Sequence, residues 1–211
     1  MALTDVRKAL QALADPEKAK GVARYFKTGK GEYGEGDVFL GISVPEQRKV
    51  ARAHGDLTLS ELTALLKSKL HEERLVALLI LVRQYEKGDA ETRQAIFDLY
   101  LKHTDRVNNW DLVDSSAQYI VGPHVRDDWS LLKKLAASTL LWERRFAIIA
   151  TYAFIKAGDP KPTFAIAKLL LDDEEDLLHK ATGWMLREVG EKIDADLLRK
   201  FLDQHLDRLP R

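Results

Sequence analysis

Asp114 and the residues spaced around it are where this chain could do chemistry. Four segments that read as helical carry a basic or aromatic residue followed by an apolar run: 74–78, 110–114, 145–149 and 180–184. Their starts lie 36, 35 and 35 residues apart, the period of a repeated helical pair. The first positions are Arg74, Trp110, Arg145 and Lys180; the fifth are Leu78, Asp114, Ile149 and Trp184. One repeat exchanges its cation for an indole and its aliphatic residue for a carboxylate within a single turn. A double departure of this kind, in an otherwise consistent pattern, marks a candidate site.

A carboxylate framed by indoles and cations suits a reaction that builds positive charge on a sugar. When a glycosidic bond breaks dissociatively, a nearby carboxylate stabilises the oxocarbenium-like centre or positions the attacking water. Aromatic faces attract cations, and flanking Arg and Lys would hold phosphates. The pattern also admits a plainer role for Asp114, as a local cap or as the partner of Arg145 in the next repeat. Trp129 and Trp142 stand at helix starts beside leucines and read as core. Trp110 is set apart by the charged residues of its column; Trp184 is set apart less, because its siblings are aliphatic.

The elements that must position these residues are helices. Nearly every segment has helical periodicity, and alternating strand patterns are missing. The spacing predicts helices at about 3–13, 17–27, 43–54, from 60, 72–87, 91–103, 107–121, 128–137, 142–157, 161–171, 174–189 and 194–208. Asp15-Pro16 and Ser43-Val44-Pro45-Glu46 have the order of residues expected of helix starts, and Asp172-Asp173 is expected to cap another. The expected architecture is all-α: one α-solenoid domain over 1–211, built from about six HEAT-like helical pairs. Equivalent positions of stacked repeats should then form a row, with residues 74, 110, 145 and 180 aligned, Asp114 and Trp184 one turn further along, and Arg187 continuing that face.

The stretch from Thr28 to Asp37 differs. Its glycines at 29, 31, 34 and 36 do not suit a helix, and it is expected to be a mobile, solvated loop. It lacks the Gly-Lys-Ser/Thr ending of a phosphate-cradling loop, although Lys27 and Lys30 could touch a backbone phosphate.

Composition narrows the chemistry further. The chain has no cysteine, which excludes disulfides, thiolate nucleophiles and thiolate metal sites. The six histidines show no paired spacing, so no metal or other cofactor is expected. Its 33 basic and 33 acidic residues cancel; a polyanionic partner would have to be met by local clustering of charge. The N-terminus does not resemble a targeting signal, and no apolar run approaches a membrane span. A cytoplasmic, membrane-free monomer is the expectation.

Three segments together resemble a known family: Asn109-Trp110-Asp111-Leu112-Val113-Asp114, Trp142-Glu143-Arg144-Arg145-Phe146-Ala147, and the run from His179 to Glu188. With Tyr25 to Pro45 they are similar to the DNA alkylation repair family, the HEAT-like-repeat alkylpurine DNA glycosylases, over essentially the whole chain. The resemblance implies a monofunctional N-glycosylase that excises N3- and N7-alkylated purines from double-stranded DNA without flipping the base. It implies Asp114 as the catalytic carboxylate and Trp110 and Trp184 as contacts to the deoxyribose. Arg145 would hold the adjacent backbone, and Lys180, Arg187, Arg74, Lys27 and Lys30 are the further DNA-contact candidates. A non-catalytic solenoid that binds damaged or branched duplex and a protein–protein scaffold are the alternatives.

Overall fold

In a computed structural model of the chain, residues 2–209 are described. The architecture is all-α, built from solenoid-like helical pairs. Two compact units divide it, Met1–Ser115 and Ser116–Arg211. No helix among the described residues is long and apolar enough to cross a membrane.

The first unit contains α1 (Leu3–Leu13), α2 (Pro16–Tyr25), α3 (Val44–Ala53), α4 (Leu59–Leu66), α5 (His71–Lys87), α6 (Ala90–Lys102) and α7 (Trp110–Asp114). Local chemistry starts several of them. The Asp15 carboxylate accepts from the Glu17 and Lys18 amides, with Pro16 opening α2. Glu46 reaches back to the Ser43 amide and hydroxyl at α3, Glu61 does the same to Thr58 at α4, and Asp89 caps α6. Each satisfies amides that a helix start leaves unpaired. The centre is α5, which packs against α3, α4 and α6 and is apolar or engaged on nearly every face. Leu62, Leu65 and Leu66 of α4 and Leu75, Leu78, Ile80 and Leu81 of α5 are fully buried, each stabilising by roughly 1.5–3 kcal/mol.

The second unit contains α8 (Ala117–His124), α9 (Ser130–Ala136), α10 (Leu141–Ala150), α11 (Tyr152–Ile155), α12 (Lys161–Leu170), α13 (Asp176–Lys192) and α14 (Ala195–Gln204). Here α10 is central, against α8, α9, α12 and α13, with Phe146, Ile148 and Ile149 fully buried. Gly122 lets α8 approach α10: a Cβ there would lie 2.3 Å from the Ala150 carbonyl oxygen. Trp129 and Trp142, expected in the core, are half-buried, and Lys133 sits over the Trp129 ring at 4.6 Å.

Two predicted helices are each broken in two. The segment at 107–121 stops at Asp114 and restarts at Ala117, with Ser116 outside helical geometry. The segment at 142–157 is interrupted at Thr151, whose hydroxyl donates to the Ile148 carbonyl at 2.7 Å. Side-chain hydroxyls that compete with the helical ladder bend or end helices in this way.

The 35-residue register is not kept at the level of single residues. Arg74 is the fourth residue of α5, Trp110 the first of α7, and Arg145 and Lys180 the fifth of α10 and α13. The expected row of residues 74, 110, 145 and 180 therefore mixes different helical positions. A repeat of 70 residues is supported by contacts. Ser68 Oγ accepts from the Leu70 amide and Ser138 Oγ from the Leu140 amide, both at 3.1 Å. Arg74 Nη1 donates to the Ser68 carbonyl and Arg144 Nη1 to the Ser138 carbonyl, again both at 3.1 Å. The structural counterpart of Arg74 is Arg144, one residue before the position the sequence spacing selected.

Candidate functional site

In the first unit, the first turn of α5 is buried and each of its polar side chains has a task. Glu72 accepts from the Leu40, Gly41 and Ile42 amides at 2.9–3.3 Å. Glu73 pairs with Arg7 at 3.2 Å. Arg74 places Nη2 2.6 Å from Asp37 Oδ1. His71 lies between two carboxylates, Nδ1 3.0 Å from Asp37 Oδ2 and Nε2 2.8 Å from Asp111 Oδ2. Burial alone would push the imidazole pKa down; the hydrogen bonds to Asp111 and Asp37 outweigh it and raise the value to about 9. Burial likewise pushes Asp37 up, but the His71 bond and the Arg74 charge outweigh it and hold the carboxyl below its ordinary range.

The glycine-rich stretch is what delivers Asp37. It is tied down rather than loose. The Glu32 and Glu35 carboxylates accept from the Gly29 and Gly31 amides at 2.7 Å, and Val38 forms a bridge to the chain before α5, its carbonyl accepting from the His71 amide at 2.9 Å. Gly34 must be glycine, because a Cβ there would meet the Phe26 carbonyl oxygen at 2.3 Å. Lys27 turns the chain with a left-handed φ of 50° and lies over the Tyr33 ring at 5.9 Å. Lys27 and Lys30 are exposed.

Trp110 stands at the end of a column of rings. Phe39 stacks on His71 at 4.5 Å, Phe26 stacks on Phe39 at 5.0 Å, and Trp110 stacks on Phe26 at 5.1 Å with 10° between planes. Tyr25 meets Trp110 edge-on at 5.9 Å, and the indole N–H donates to Tyr33 from the glycine-rich stretch. Asn109 Oδ1 accepts from the Trp110 amide at 2.8 Å, and its Nδ2 donates to Asp37 at 3.3 Å. Asp114 closes α7 one turn after Trp110, on the same side of the helix, and is half-buried.

In the second unit, Trp184 lies midway along α13, half-buried, donating Nε1 to Glu188 Oε1 at 2.9 Å. Tyr152 is 6.4 Å from it, ring to ring, and Lys192 approaches Glu188 at 3.4 Å. Lys180 and Arg187 are exposed on α13 and pair with Asp176 at 2.6 Å and Glu191 at 3.8 Å. Arg145 is buried and donates to the Leu177 carbonyl at the start of α13. Arg187 also borders an apolar cavity of about 320 Å³ lined by leucines of α12, α13 and α14.

A family model described as "DNA alkylation repair enzyme" matches residues 6–211. The chain belongs to the DNA alkylation repair enzyme family. A solved structure titled "Predicted DNA alkylation repair enzyme from Enterococcus faecalis" is similar in fold, with a TM-score of 0.67 at 18% identity, covering 90% of this chain and 89% of that one. No curated protein matches the chain.

Within this member of the DNA alkylation repair family, the first unit brings Trp110 and Asp114 together on one helix. Arg74, expected as a DNA contact, is 2% exposed; its guanidinium is committed to Asp37 and the Ser68 carbonyl, so it holds the site from behind. Sequence reasoning passed over His71, Asp37 and Asp111. One signal was available: a histidine opening a helix faces the positive end of the helix dipole, a poor place for a ring unless carboxylates attend it.

Proposed function

We propose that the protein is a monofunctional DNA N-glycosylase that removes cationic N3- and N7-alkylated purines from duplex DNA without flipping the base. The observation that carries this reading is the pairing of Trp110 and Asp114 on α7, a helix of five residues fastened by its neighbours, in a chain of the DNA alkylation repair enzyme family. An alkylated purine already carries a positive charge. As the bond from C1′ to the base nitrogen breaks, the electron pair leaves with the purine and neutralises it, so no general acid is required. The positive charge passes to the sugar, where the Asp114 carboxylate stabilises it and orients the water that attacks C1′. Trp110 contacts the deoxyribose of the lesion nucleotide, its face suited to a cationic centre, and Trp184 is a further candidate for a sugar contact. Lys27, Lys30, Lys180 and Arg187, all exposed, meet phosphates, while Arg145 stiffens the start of the helix that carries Trp184.

The test is release of 7-methylguanine from a duplex containing a single N7-methyl-2′-deoxyguanosine, under single-turnover conditions. Asp114→Asn is expected to lose about 100- to 1000-fold in rate with duplex binding retained. Equal rates in the two proteins would remove Asp114 from the chemistry. Salt-dependent duplex binding by wild type without any release would make the protein a non-catalytic DNA binder.

A further inference from the structure

A five-residue helix cannot hold itself. At the two ends of α7 the backbone bonds run from Val113 to Asn109 at 3.1 Å and from Ser115 to Asp111 at 3.0 Å, and a single turn costs more to nucleate than a handful of such bonds return. The two proposed working residues nevertheless need fixed positions, since a displacement of about 1 Å can cost about 100-fold in rate. Something outside α7 must fasten it, and the fastening is at its second residue, Asp111, which meets His71.

We propose that His71 is a positioning residue, bonded through both ring nitrogens to Asp37 and Asp111, and that this clamp fixes the start of α7 and with it Trp110 and Asp114. The inference deepens the glycosylase reading and rests on it for the consequence in rate, though not for the clamp itself. Carboxylates only accept hydrogen bonds, and a neutral imidazole has one N–H to give. Carboxylate oxygens at 3.0 and 2.8 Å from the two nitrogens therefore require the doubly protonated ring. The charged groups around it agree. Asp37 comes from the glycine-rich stretch, Asp111 from α7, and Arg74 from the ring's own helix, 2.6 Å from Asp37, so two cations balance two anions. Glu72 is turned away to the amides of residues 40–42. Phe39 covers one part of the imidazolium and Phe26 another, at 4.5 and 5.2 Å, an arrangement that favours a cation, and Phe26 then carries Trp110. The same ring thus supports α7 twice, through Asp111 and through the aromatic column.

Deprotonation would release one of the two carboxylates, because only one N–H would remain. The histidine holds its proton up to about pH 9, so the clamp is closed at neutral pH and opens on the alkaline side. The experiment combines three measurements on wild type, His71→Gln and Asp111→Asn, each first checked for native far-UV circular dichroism. The first is the titration of the His71 ring protons by NMR, expected near pH 9 in wild type and lower in Asp111→Asn. The second is amide exchange at residues 110–114, expected to speed up at least tenfold in both variants while α4 and α5 stay protected. The third is single-turnover release of 7-methylguanine, expected to fall about 10- to 100-fold in both variants at pH 7 with duplex Kd within about threefold, and to fall in wild type alone as pH rises through 9. A wild-type titration at the ordinary value near 6.5, or unchanged exchange at 110–114 in His71→Gln, overturns the clamp. Absence of release in wild type overturns the glycosylase reading and leaves the first two measurements to decide the clamp.

Discussion

The first turns of α5 and α10 are the same device built twice, 70 residues apart, and they are used differently. Each begins after a serine whose hydroxyl accepts from the amide two residues on. Each has an arginine six residues after that serine that returns to its carbonyl and takes a carboxylate, Asp37 for Arg74 and Asp173 for Arg144, both at 2.6 Å. The difference lies in what else the carboxylate holds. Asp173 otherwise accepts from the Glu175 amide at 3.0 Å. Asp37 also takes His71 and Asn109, and where the first unit has His71 and Glu72 the second has Leu141 and Trp142. A repeat scaffold supplies the arginine–carboxylate staple; converting one copy into a support for α7 took a histidine, an asparagine and a glycine-rich segment to bring the acid in.

The largest test of this comparison is to remove the arginine from each copy. Arg74 is 2% exposed at its side chain and Asp37 4%, so Arg74→Met leaves two buried carboxylates, Asp37 and Asp111, to the single cation of His71 and is expected to cost about 3–5 kcal/mol. Arg144 is 16% exposed; water can reach the vacated site, and Arg144→Met should cost about 1–2 kcal/mol. Urea unfolding of the two variants measures both, and equal losses would mean that the two staples bear equal loads.

A second test uses pH, because the first copy has a histidine where the second has a leucine. His71 has a folded pKa raised from 6.5 to about 9. Its contribution to stability is therefore fully present below 6.5 and is lost as pH rises through 9, a change on the order of 3 kcal/mol at most. Asp37, held below its ordinary 3.8, works the other way: its contribution is complete above that value and disappears as pH falls through the lowered one. Leu141 occupies the equivalent place in α10 and has no proton to lose. Amide exchange corrected for intrinsic pH effects should show residues 110–114 losing protection between pH 7 and 10 while α10 does not; parallel losses at 110–114 and in α10 would sink the assignment.

Helix starts and the pattern-breaking residues were legible in the sequence because their causes are local. Asp15-Pro16 and Ser43 to Glu46 each satisfy amides within three residues, and the structure places helices at both. Trp110 and Asp114 stood out because they interrupt a periodic column. The break at Ser115-Ser116 was hidden by the apolar rhythm that continues through Leu112, Val113, Ala117 and Ile120, with no glycine or proline to mark it. His71 was hidden for a different reason. Its partners lie 34 and 40 residues away, and nothing in the neighbouring sequence says that a loop of four glycines ends by handing it an aspartate. Asp172-Asp173 reads as a cap, and Asp173 does accept from the Glu175 amide before α13; Asp172 also pairs with Arg208 at 2.5 Å and Asp173 with Arg144, long-range contacts that spacing does not reveal.

The smallest test concerns the serines, and it is the one most sensitive to how alike the two copies are. Ser68 Oγ makes its bond to the Leu70 amide, while the neighbouring Glu73 is occupied by Arg7. Ser138 Oγ makes the matching bond and in addition donates to Glu143, the counterpart of Glu73, at 2.6 Å. Removing the hydroxyl thus breaks one hydrogen bond in the first unit and two in the second. At about 0.5–1.5 kcal/mol for each bond, Ser138→Ala should destabilise by about 1 kcal/mol more than Ser68→Ala, read from amide exchange in α10 and α5 respectively. The reverse order would mean that Glu143 does not need the serine, and that the second copy is held by Arg144 alone.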